Sequence, residues 1–203
     1  MSVLSDAMKK LSVEELTDEW NTLHASLLQE HDALLTILTD AATQIPLPKG
    51  FFVGDAERAP AYRTVCRLFG VLEARVQKLR LSSLMLSQKN ARLAKQKRNA
   101  DRVKLALWEI EQAAKNLRQV HVIEAVEDFR AELTQTQKNT AKLFAAVEKA
   151  EQALMTLCSS TLPDFCTRMY TAADMDHNGA ACNPAAAVRL CGELRTVLQT
   201  LSF

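Results

Sequence analysis

Apolar residues at alternating three- and four-residue spacing, sustained for tens of residues with few helix breakers between them, constrain this chain more than any other feature. Leu16, Trp20, Leu23, Leu27, Leu34, Ile37 and Ala41 form one such stripe, and that spacing lies along one side of an α-helix. Val65, Leu68, Leu72, Val76, Leu79, Leu86 and Leu93 form a second. A third starts at Val103 and runs through Leu107, Ile110, Ala114, Leu117, Val126, Phe129, Leu133, Leu143, Val147, Ala150, Leu154 and Leu157. Only five Gly and five Pro occur in 203 residues, and straight-chain helix formers dominate. The expectation is an all-α, elongated antiparallel helical bundle with long coiled-coil-like helices, a single domain over residues 1–203.

Local signals set the expected boundaries. Ser12-Val-Glu-Glu15 reads as a capping box, with the Ser12 hydroxyl accepting from the Glu15 amide. The first long helix should run over about 13–44, roughly 48 Å at the standard rise, until Pro46 and Pro48 stop it. The connector 46–59 carries Phe51, Phe52 and Val53, expected to fold back on the end of the bundle. Pro60 suits the first turn of a second helix over about 60–98, and Gly70 inside it suggests a close helix–helix contact. The stripe lapses after Leu93. Across residues 94–102 only Asn99 and Asp101 offer turn chemistry; the chain either reverses there or continues as a helix in solvent. A helix over about 101–159 follows, with a one-position slip near Gln119–Val122 that reads as a stutter. Ser159-Ser160-Thr161 ahead of Pro163 ends or kinks it. Short helices over about 163–172 and 184–202 complete the chain, the latter opened by Asn183 as N-cap and Pro184 at its first position.

Charge is distributed unevenly. Residues 74–104 hold ten bases and one acid inside a protein of net charge +1, whereas residues 1–60 hold ten acids and four bases. One reading is a solvated face partly neutralised by Glu14, Glu15, Asp18, Glu19, Glu30 and Asp32 of the first helix. The other is a site for an anionic partner, with Lys89, Arg92, Lys95, Lys97, Arg98, Arg102 and Lys104 as its candidate residues. Acidic lipid headgroups would be attracted at about 1 kcal/mol per base near the surface, and an acidic protein tail by the same charges. No aromatic residue interleaves with the bases of residues 74–104, which disfavours single-stranded nucleic acid, and no duplex-recognition motif is present.

Three long helices, with bases massed where the second would turn into the third, resemble a BAR-type module. The resemblance is architectural. It implies dimerisation into a curved rod that binds acidic membranes through residues 89–104. Asp174-Met-Asp-His-Asn-Gly179 resembles the opening of an EF-hand calcium loop, with acids at its first and third positions, Asn at the fifth and Gly at the sixth. The ninth, eleventh and twelfth positions depart from that pattern, being Cys182, Pro184 and Ala185. The resemblance implies a degenerate calcium site at 174–185; the competing reading is a polar turn.

Other candidates reduce to structure. His177, Cys166, Cys182 and Cys191 match no zinc-ligand spacing. His31 and His121 read as satisfied bundle residues, and Trp20 and Trp108 as core. No GxSxG, P-loop or GxGxxG sequence occurs, so neither an enzyme nor a small-molecule substrate, cofactor or metal is expected. Five cysteines without a basic-flanked apolar leader read as reduced thiols of a cytoplasmic protein, either free or peripheral to membrane or cytoskeleton. The expected role is a non-enzymatic scaffold or adaptor whose partner is a helical protein or a second copy in a homodimer.

Overall fold

The computed structural model describes residues 2–49 and 54–203. Six α-helices follow in order: α1 (Ser2–Lys9), α2 (Glu14–Gln44), α3 (Asp55–Asn116), α4 (Val120–Thr156), α5 (Leu162–Ala173) and α6 (Pro184–Thr200). A π-helical turn, Leu157–Thr161, joins α4 to α5, and a 3-10 turn, Met175–His177, follows α5. Among the described residues there is no strand. The protein is an all-α bundle of long helices packed against each other.

α3 differs most from expectation. It runs unbroken for 62 residues, so the chain does not reverse at 94–102. The reason is a seam with a strict period of seven: Val65, Leu72, Leu79, Leu86, Leu93, Ala100, Leu107 and Ala114 are all buried. Ala100 is the member that bridges the polar-looking stretch. The helix also begins five residues ahead of Pro60. The reversal lies at residues 117–119, where only a stutter was expected. There the Gln119 amide donates to the Ala114 carbonyl (2.9 Å) and the Arg118 amide to that of Lys115 (3.2 Å), with Arg118 left-handed at φ 54°. This is a Schellman-type stop with Arg where Gly is usual. Gly70 marks no close approach: a Cβ there would meet nothing within 4 Å.

Tertiary contacts divide the chain into two compact units, and α2, α3 and α4 each contribute to both. The first comprises Met1–Thr22 and Met85–Lys149. Its core sets Leu4, Met8 and Leu11 against Ala100 and Leu107 of α3 and Val126 and Leu133 of α4. Helix α1 escaped the sequence reading because it is only eight residues long. At the start of α2 the Ser12 hydroxyl accepts from the Glu14 amide (3.4 Å), one residue short of the expected capping partner.

The second unit comprises Leu23–Leu84 and Ala150–Phe203. Leu27, Leu34, Val65, Leu72, Leu154, Leu162, Met169 and Leu198 are among its buried residues. His31 Nε2 donates to the Leu198 carbonyl (2.8 Å), and its ring meets Phe203 edge-on. Pro163 cannot supply an amide hydrogen to the preceding turn, and the helix widens into the π-turn just before it. Asn183 caps α6 by accepting from the Ala186 amide (3.0 Å). Phe51, Phe52 and Val53 lie outside the described residues.

Candidate functional site

Four bases of α3, Arg75, Lys78, Lys89 and Arg92, are paired with carboxylates of α2. Glu30 accepts from Arg75 (2.7 Å) and Lys78 (3.0 Å). Glu19 accepts from Lys89 and, at 2.9 Å, from Arg92. Lys89 is only 8% exposed, so Glu19 compensates a largely buried charge. These contacts lower both carboxyl pKa values. For Glu19 the largest influence is the Lys89 hydrogen bond; for Glu30 burial pushes upward and Arg75 and Lys78 outweigh it. Lys89 and Arg92, two of the seven candidate residues, are therefore engaged within the bundle.

The other five are not. Lys95, Lys97, Arg98, Arg102 and Lys104 are all exposed, and none makes an ion pair among the described residues. They lie within the C-terminal half of α3, ahead of its last turns, not at the tip of a hairpin. Beside them on the same helix stand Leu105 and Trp108, 58% and 55% exposed. Trp108 was expected in the core. The seam position is its neighbour Leu107, and one residue further on turns the side chain about 100° away from it. Trp20 is buried as expected. Leu81, Leu84 and Met85 make a second exposed apolar group on α3 at helical spacing.

On the other side of this surface lies α4, tied to α3 by Glu111, which accepts from Arg130 and from Lys115 (2.5 Å). A groove of about 320 Å³ is lined by Leu93, Lys97, Ala100 and Asp101 of α3 and by Gln137, Thr140, Ala141 and Phe144 of α4. It exists because the small Ala100 faces the polar stretch of α4, where Thr140 fills a seam position and returns its hydroxyl to the Thr136 carbonyl (2.9 Å). Glu124, Glu127, Asp128 and Glu132 are exposed on the first half of α4.

The calcium-like segment is built as a turn. Asp174 is left-handed (φ 55°) and caps α5. Its carboxylate accepts from the Ala181 amide (2.8 Å) and meets His177 Nδ1 (3.0 Å). The Asp176 carboxylate accepts from the Tyr170 hydroxyl (2.8 Å). Gly179 is left-handed (φ 84°) with the Tyr62 ring against it. Among the described residues no cluster of three or more His, Cys, Asp or Glu could hold a metal ion. His121 is exposed at the start of α4. The thiols are free, and burial pushes Cys191 up to about 11, with smaller upward shifts at Cys158, Cys166 and Cys182. No helix among the described residues is long and apolar enough to cross a membrane.

What fold and surface define is a helical bundle with an unpaired basic and apolar face. No protein-family model, curated protein or solved structure matches the chain.

Proposed function

We propose that this protein is a non-enzymatic scaffold or adaptor that associates with another helical protein, or with itself, through the exposed side of α3. The observation that carries the reading is the placement of Leu105 and Trp108 among five cations without ion pairs. Large apolar side chains on a packed helix are stabilised by burial, and a Trp ringed by polar groups is a characteristic anchor of protein interfaces. The buried thiols and the hydrogen-bonded His31 supply packing, in keeping with a role in binding. Free thiols suit a cytoplasmic setting.

A photo-reactive benzophenone residue placed at Leu84 or at Trp108 of the full chain tests the reading in cells. A discrete adduct with a helical protein or a second copy is expected, and it should vanish when Arg98 and Arg102 become Glu or Leu81 becomes Glu. No adduct from either position, together with a single monomeric species at about 100 µM, would defeat it. The membrane alternative rested on bases at a hairpin tip. With those bases inside the continuous α3, acidic vesicles serve as the control in this assay.

A further inference from the structure

Along the C-terminal half of α3 the covering helix changes. The start of α2 lies beside Lys89, Arg92 and Gln96. Glu19 accepts from the first two, and the Ser12 carbonyl accepts from the Gln96 side chain at 3.1 Å. One turn further on, Ala100 and Leu107 of α3 and Val126 and Leu133 of α4 pack with Leu4 and Met8 of α1 and with Leu11 just after it. These last three stand at i, i+4 and i+7, the spacing by which an amphipathic helix enters an apolar groove. Val103, Ile110, Val122 and Phe129 form the partly buried margins. The eight residues of α1 rise about 12 Å, close to one heptad of the α3 seam. α1 is thus a short helix laid in a trough that two longer helices build.

Its hold there is slight. An eight-residue helix does not persist alone in water, because nucleation costs more than so few hydrogen bonds return. α1 is therefore helical only while docked, and three buried side chains must offset the ordering of the whole segment. Val3 is 78% exposed. Asp6, Lys9 and Lys10 are exposed and make no ion pair among the described residues. A gap of about 350 Å³ remains beside Met8, between Ser12 and Glu14 on one side and Phe129, Glu132 and Asn139 of α4 on the other. The far end of the segment is firmer. The Ser12 hydroxyl accepts from the Glu14 amide while Gln96 holds the Ser12 carbonyl. The start of α2 is thereby fixed independently of α1.

We propose that α1 is a displaceable strap, hinged at Ser12, over a helix-binding trough of α3 and α4, and that the trough takes an amphipathic helix of a partner protein with large apolar residues at i, i+4 and i+7. The site goes beyond the exposed side of α3, since Leu107 faces the trough whereas Leu105 and Trp108 are exposed. The chemistry of the occupant follows from what the trough now holds, which is aliphatic and thioether side chains on one face of a helix whose other face is polar. A partner helix longer than α1 gains further contact along the margins. Docked α1 competes at the millimolar effective concentration that its tether sets, so the trough stays closed until such a helix is present.

Hydrogen exchange of the full chain should show the amides of residues 6–12 exchanging at least about a hundred-fold faster than those of residues 100–107, because α1 opens without global unfolding. Amides of 6–12 that exchange as slowly as those of α3 would overturn the strap. A labelled peptide of residues 2–12 is the probe for the trough. It should bind the full chain carrying Leu4→Glu with Met8→Glu at about 0.1–1 mM, and the wild-type chain at least about ten-fold more weakly, because tethered α1 competes. The same peptide carrying Met8→Glu should not bind. Equal binding to both chains, or binding indifferent to Met8 of the peptide, would overturn the trough. Asp6→Gly with Lys9→Gly weakens α1 without touching a buried side chain. Should the double Glu variant fail to fold, the double Gly variant must still bind the peptide more tightly than the wild type, or the proposal falls. Wild-type dimers in sedimentation velocity that are lost in the double Glu variant would mean exchange of α1 between copies, and would overturn a foreign helix as the occupant. Photo-adducts from Trp108 test the exposed side of α3 separately, so either reading can fail without the other.

Discussion

Glu19 shows how one residue can settle a charge that looks free in the sequence. Lys89 reads as one more member of a basic run, yet its ammonium is largely buried and held by Glu19, which also takes Arg92. Replacing Glu19 by Leu leaves that buried charge unanswered and should cost roughly 1–3 kcal/mol in urea unfolding. Replacing Glu19 and Lys89 together by Leu should recover most of the loss, since no charge then remains to desolvate. A double variant as unstable as the single one would show that packing and not charge sets the cost. Gly70 is the opposite case. It sits exposed in mid-helix with open space where a Cβ would go, so Gly70→Ala should raise stability by about 0.5–1 kcal/mol. A loss on that substitution would mean that the space is occupied in solution.

At the scale of elements, the turn between α3 and α4 explains what the sequence did and did not disclose. Helix type and the seams of α2, α3 and α4 were legible, because apolar periodicity over thirty or more residues leaves few alternatives. The start of α6 was legible too, because Asn183 as N-cap and Pro184 at the first position are strong signals. The reversal was not. Asn99 and Asp101 drew attention to a stretch that Ala100 in fact ties into the seam, and Ala is too weakly hydrophobic to announce itself there. The real turn is closed by Arg118, a residue with no left-handed preference. Arg118→Gly should therefore raise stability by up to about 1 kcal/mol, most of the left-handed penalty being removed. An unchanged urea midpoint would show that the Arg118 side chain offsets its strain. The candidate surface was half legible for a related reason. Five of its bases stood out by charge, whereas Trp108 was expected in the core although its neighbour Leu107 holds the seam position, and Leu105 was not singled out.

Across the whole molecule, the ion pairs and the buried thiols together define a pH window. Glu19, Glu30 and Glu111 all have pKa values lowered from the usual 4.5. For Glu111 the Lys115 hydrogen bond is the largest cause and that from Arg130 the next. A carboxylate lowered in the fold binds fewer protons than its unfolded counterpart, so stability rises with pH through that range. Its contribution is complete above about pH 4.5 and is lost as pH falls through the lowered values. The thiols act in the other direction. Burial raises Cys191 from 9.0 to about 11, so its contribution is complete below 9.0 and is lost as pH rises towards 11. Urea midpoints taken under reducing conditions should therefore be flat from about pH 5 to about pH 8.5 and fall on both sides. Glu30→Gln should make the acid limb shallower without moving the alkaline one. Cys191→Val should do the reverse. An acid limb that keeps its full steepness in Glu30→Gln would mean that Arg75 and Lys78 hold the carboxylate less firmly in solution than their 2.7 and 3.0 Å contacts imply.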